Sequence, residues 1–135
     1  MKLRERSTKQ KQAISRVFER YGRPVTVQEV HQAAGETCES LGIATVYRAV
    51  SRLLASGWLT EVQLPGQPTR YERMDLAHHH HFHCDRCEIL YDVLAPCDAL
   101  STMIPEGFTV RRHELTFYGI CESCRVTDSD SEQTQ

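Results

Sequence analysis

Residues 44–73 read ATVYRAVSRLLASGWLTEVQLPGQPTRYER. Val46, Val50, Leu53 and Leu54 recur at helical spacing, so residues 44–56 form an amphipathic helix closed by Gly57. Its opposite face carries Tyr47, Arg48, Ser51 and Arg52. Trp58–Leu64 and Thr69–Arg73 are short strand-like stretches around a Pro-Gly-Gln-Pro turn, the pattern of a hairpin. Upstream, Ile14, Val17, Phe18 and Tyr21 mark a helix over roughly residues 8–21, stopped by Gly22 and Pro24. Val27, Val30 and Ala34 mark another, with Thr26 as N-cap and Gly35 as stop. A short third piece spans Glu36–Leu41. Helices followed by a hairpin predict a winged helix-turn-helix over residues 1–74.

Residues 74–78 read as a hinge into a second, small α/β unit over residues 78–126, and the whole chain is therefore α+β. The second unit holds a His/Cys segment, a strand at Ile89–Val93, a short helix near Asp98–Met103 and extended chain over Phe108–Phe117. Phe108/Val110 and Leu115/Phe117 alternate in opposite phase, which predicts a bend near Arg111–Glu114. Residues 127–135 read as a disordered acidic tail.

The net charge of −2 conceals a division. Residues 1–58 carry ten Lys/Arg against five Asp/Glu, and residues 59–135 six against thirteen. A basic half suits phosphates, and an acidic, His-rich half suits cations. No apolar run approaches a membrane span and the N-terminus lacks a signal-peptide core, so a soluble cytoplasmic protein without a membrane partner is expected.

Cys84-Asp-Arg-Cys87 and Cys121-Glu-Ser-Cys124 are two CxxC pairs. Two such knuckles complete a tetrahedral sulfur site suited to structural Zn²⁺, closed to chemistry and able to staple a small domain. Cys38 and Cys97 stand alone and read as packed thiols, with Cys97 within reach of a metal. Residues 78–83 read His-His-His-His-Phe-His. In an extended segment His78 and His80 point one way, His79 and His81 the other, so one strand can feed two metal sites. Glu72, Asp92 and Glu61 could complete a mixed N/O sphere, and His113 is the long-range candidate for the other face. His31 falls on the apolar stripe of its helix and reads as a satisfied core histidine rather than a ligand.

Together these residues resemble the ferric uptake regulator (Fur) superfamily. The matching motifs are Arg6-x-Thr8-x-x-Lys11, Gly42-Ile-Ala-Thr-Val-Tyr-Arg48, Arg70-Tyr-Glu72, His78-His-His-His81-x-x-Cys84-x-x-Cys87, His113, Tyr118-Gly-x-Cys121 and Cys124. The resemblance implies a homodimeric, metal-responsive repressor that binds a palindromic operator in double-stranded DNA and controls metal-uptake genes. It implies that residues 44–56 enter the major groove, with Thr45, Tyr47, Arg48, Ser51 and Arg52 at the DNA. Arg6, Lys9 and Lys11 would lie near phosphates or the minor groove.

The regulatory site carried over is Glu72, His79, His81 and Asp92, with Glu61 as a further candidate. The second site is His78, His80 and His113, with Asp98 as its candidate carboxylate. The sensed ion is Fe²⁺ or Zn²⁺, with Mn²⁺ as a third candidate. An iron regulator is the first expectation, a zinc uptake regulator the second and a peroxide-stress regulator the third. The rival classes are a small metalloenzyme and a metal-storage protein. No open metal position is paired with a general base, so no enzyme activity is expected.

Overall fold

The computed structural model describes residues 2–132, with side chains from 4 to 127. The chain divides into two compact units at Leu76–Ala77. The first contains α1 (Lys2–Arg20), β1 (Val25–Thr26), α2 (Val27–Gly35), α3 (Ile43–Ala55), β2 (Leu59–Val62) and β3 (Arg70–Arg73). Ile14, Val17 and Phe18 of α1 meet Val27, Val30 and Ala34 of α2 and Val46, Ala49 and Val50 of α3, all buried. Each set recurs at three- or four-residue spacing, so each helix turns one stripe inward. Thr26 starts α2 with a reciprocal cap. Its Oγ1 accepts from the Glu29 backbone N–H and its own N–H donates to Glu29 Oε1, both at 3.1 Å. Such a cap is worth about 1 kcal/mol.

β3 lies between β1 and β2, antiparallel to both, and the β2–β3 hairpin is the wing. α1 begins at Lys2, well before residue 8: its opening turns are polar and show no apolar periodicity. Residues 36–42 form turns rather than the expected third piece, because Ser40 adopts φ 63°, which ends any right-handed helix.

The second unit contains β4 (His80–Cys84), β5 (Leu90–Val93), a 3-10 helix (Asp98–Met103), β6 (Thr116–Gly119) and α4 (Glu122–Glu132). β4 is central, antiparallel to β5 and parallel to β6. Over the expected extended stretch 108–117 only Thr116 and Phe117 belong to a strand. From Thr127 the chain departs from the expected unstructured tail: α4 starts at the second CxxC pair and continues to Glu132. Residues 133–135 lie outside the described residues.

Leu90 and Cys84 are the only hydrophobic side chains of this unit buried among the described residues. So small an apolar core is marginal for a unit of this size. The unit therefore depends on something besides its own apolar core. No helix among the described residues is long and apolar enough to cross a membrane.

Candidate metal centres

Cys84 ends β4, Cys87 sits in the following turn, Cys121 follows β6 and Cys124 lies in the first turn of α4. The parallel register pairs Cys84 with Gly119, which delivers Cys121 to the same end of the sheet. Gly119 allows that approach, since a Cβ there would lie 3.2 Å from the Phe82 ring. The four sulfurs lie within 4.8 Å of one another, with Cys87 and Cys121 at 3.9 Å. A tetrahedral Zn–S site, with bonds of about 2.3 Å, needs edges of about 3.8 Å. The donor set thus fits zinc.

The thiols are already polarised. The Cys121 backbone N–H, 3.3 Å from Cys84 Sγ, is the main cause holding that thiol down at about 6. The Cys124 backbone N–H, and then the Tyr91 hydroxyl, lower Cys121. Burial, followed by the neighbouring sulfurs, pushes Cys124 up to about 12. A cation offsets that last cost, because thiolates are the ligating form. Tyr91 Oη lies 3.9 Å from Cys87 Sγ and supports the quartet from β5, a role the sequence did not mark.

The alternation of β4 and its lead-in sorts the histidines onto two faces. His79 and His81 turn toward Asp92, the direct cross-strand partner of His81. Both Nε2 atoms lie 3.5 Å from Asp92 Oδ1. His79 Nδ1 donates to the Ala77 carbonyl at 2.8 Å, which leaves the Nε2 lone pair facing the carboxylate. Two electron-rich atoms facing each other is the arrangement a cation resolves, and the backbone bond fixes the ring as outer partners of metal sites do.

On the other face His78, His80 and His113 converge, joined by Cys97, with all four ligand atoms within 4.8 Å. Asp98 is not in this group. Cys97, the residue before the 3-10 helix, turns its sulfur to 3.4 Å from His80 Nε2, while exposed Asp98 opens the helix one position later. The candidate carboxylate expected from sequence thus lies one residue beyond the side chain that the structure brings to the cluster. The signal was present, since Cys97 was the one cysteine left unpaired in the His-rich half.

Burial, reinforced by His78 and then His113, keeps His80 below the ordinary histidine value of 6.5. The unfolded chain takes that proton first as pH falls, so this contribution to stability is complete above 6.5 and lost on descending through the lowered value. The melting temperature of the protein carrying zinc only in its cysteine quartet is expected to fall between pH 7.5 and 5.5. The slope should flatten in His80→Asn, and an equal slope in that variant would contradict this account.

In the first unit, Glu72 lies on β3 opposite Thr60, whereas Glu61 pairs with Tyr71. Directly opposed residues share a face, so Glu61 and Glu72 point to opposite sides of the sheet, and Glu61 is removed as a companion of Glu72. Exposed Glu61 accepts instead from Gln63 Nε2 at 3.4 Å. His31 Nε2 contacts the Leu41 carbonyl at 2.7 Å, a satisfied structural histidine.

Lys11 of α1 lines one cleft with Thr45, Arg48 and Arg52 of α3, and Arg48 donates to Thr45 Oγ1 at 3.1 Å. Tyr47 and Ser51 are exposed on the same helix. Arg6 and Lys9 line a separate cleft with Arg16 and Ser40.

A winged helix in one unit and His, Cys and Asp clusters in the other define a metal-binding transcriptional regulator. Residues 2–118 match the Ferric uptake regulator family, and the chain belongs to that family. It is 27% identical over 106 residues to the Ferric uptake regulation protein of Bordetella parapertussis, covering 76% of each chain. It is 29% identical over 123 residues to the Zinc uptake regulation protein of Mycobacterium tuberculosis, covering 89% of this chain and 95% of that one. The ferric uptake regulator of Francisella tularensis, solved with iron, superposes with a TM-score of 0.67 at 27% identity, over 86% of this chain and 91% of that one.

Proposed function

We propose that the chain is a cytoplasmic, homodimeric repressor that binds a palindromic operator when a divalent cation occupies His79, His81 and Asp92. The sequence resemblance supplies Glu72, on the last strand before the 74–78 hinge, as a further ligand. The observation that carries the proposal is the pair of imidazole nitrogens facing Asp92, a donor set that suits a divalent cation. An ion drawing ligands from both sides of a hinge selects one orientation of the reading heads, and metal and DNA affinities become reciprocally linked.

Thr45, Tyr47, Arg48, Ser51 and Arg52 are proposed to read DNA from α3, with Arg6, Lys9 and Lys11 on phosphates. Two imidazoles with two carboxylates form a borderline N/O set, so Fe²⁺ is the first assignment. The mycobacterial zinc regulator, aligned over 89% of this chain, favours Zn²⁺ as the second. Zn²⁺ in the cysteine quartet is structural.

The test is DNA binding with fragments selected from a random pool, titrated anaerobically with Fe²⁺, Mn²⁺, Zn²⁺ and Ni²⁺ alongside metal analysis. Metal-independent binding, or none with any ion, would refute the switch.

The homodimer is supported by the apolar side chains that the second unit leaves exposed, including Leu94, Met103, Phe108 and Phe117. So many exposed on so small a core mark an interface. Phe108→Asp is expected to shift the protein from dimer to monomer in sedimentation, weakening self-association by about a hundredfold. An unchanged dimer would remove Phe108 from the interface.

A further inference from the structure

His113 Nε2 faces two other ring nitrogens at once, His78 Nε2 at 3.1 Å and His80 Nε2 at 2.9 Å. A neutral imidazole nitrogen carries either one proton or one lone pair. It can satisfy one of those contacts, not both, so hydrogen bonding alone does not account for the cluster. The other neighbour of His80 Nε2 is Cys97 Sγ at 3.4 Å. Around a four-coordinate ion, with nitrogens at about 2.0–2.1 Å and sulfur at about 2.3 Å, N···N edges are about 3.3 Å and N···S edges about 3.5 Å. The three observed spacings lie close to those edges.

We infer that Cys97 supplies the fourth ligand of the second site that the resemblance places on His78, His80 and His113, a thiolate where a carboxylate is expected, and that this sulfur sets the selectivity of a tetrahedral site for a zinc-class cation. This deepens the metal-responsive function and rests on it only for the site's part in regulation. The donor set has no carboxylate, and oxygen is what Mn²⁺ and Mg²⁺ require. Sulfur beside three imidazoles favours Zn²⁺ and its tetrahedral substitute Co²⁺. The histidines come from β4 with its lead-in and from a distant segment, and the cysteine from the bend before the 3-10 helix, so the ion would tie three stretches of the second unit together. His78 and His113 are exposed, so the ion has a route to exchange with solution.

The experiment titrates Co²⁺ into the full-length His79→Ala/His81→Ala chain with zinc already in the cysteine quartet. One further Co²⁺ per chain is expected, with the strong visible absorption of tetrahedral cobalt and a sulfur-to-cobalt charge-transfer band. Cys97→Ser, checked for folding by circular dichroism, should lose the charge-transfer band and bind Co²⁺ about 10- to 100-fold more weakly. Cys97→Asp should bind without the band and lose about tenfold or more of the preference for Zn²⁺ over Mn²⁺. A parent chain that takes up no cobalt, or cobalt without the sulfur band, overturns the inference. So does a band that persists in Cys97→Ser, which would place the cobalt in the quartet. None of these readouts depends on DNA, so a failed repressor function and a failed histidine–cysteine site give different results.

Discussion

Replacing His79 and His81 together with alanine is expected to abolish metal-dependent DNA binding while leaving a folded, zinc-containing dimer. Both imidazoles face the same oxygen of Asp92, so the double change strips the nitrogens from the proposed regulatory site and leaves the opposite face of β4 intact. Losing outer partners of a metal site already costs about 10- to 100-fold in affinity. Losing two direct ligands should exceed about a hundredfold, enough to empty the site at any metal concentration that loads the parent. DNA binding with added metal and zinc content after dialysis are the two measurements. A double mutant that still binds DNA in response to metal would show that the switch lies elsewhere.

The second large effect concerns the cysteine quartet. Cys121→Ser is expected to release zinc and unfold the second unit, with loss of the dimer. Structural zinc in small domains supplies an apparent 10–16 kcal/mol, as large as the whole stability of an ordinary domain at about 5–15 kcal/mol. Leu90 and Cys84 are all the buried apolar side chains that this unit has among its described residues, so nothing comparable stands in reserve. The parent treated with a strong chelator should behave like the mutant. A chelated chain that stays dimeric and melts as before would refute the structural role. Tyr91→Phe offers a milder version, since it removes the hydroxyl near Cys87 and leaves all four sulfurs.

The parts of this molecule that sequence describes well are those fixed by short-range geometry. The α3 stripe of Val46, Val50, Leu53 and Leu54 follows from helical period alone, and the CxxC pairs carry their own spacing. The two-sided use of residues 78–81 follows from the period of a strand. What the sequence does not show is pairing between distant segments. The parallel match of β4 with β6 carries Cys121 to Cys84, and no local pattern encodes it. The choice between Cys97 and Asp98 turns on one residue of register in a loop, where hydrophobic periodicity is silent. Glu61 is a further candidate beside Glu72 in the sequence, and only the β2–β3 register shows that the two point to opposite faces. The first turns of α1 and the end of α4 are polar, so no apolar signal marks where either helix starts or stops.

Four identical residues in a row have a consequence for how this gene tolerates length change. Counted back from Cys84, deleting any one histidine codon from residues 78–81 yields the same product. Positions 79, 80 and 81 stay histidine and Ala77 slides into position 78. The loss therefore always falls on the outermost histidine of the cluster that contains Cys97, whichever codon is lost. The pair facing Asp92 is shielded from replication slippage by the sameness of its neighbours.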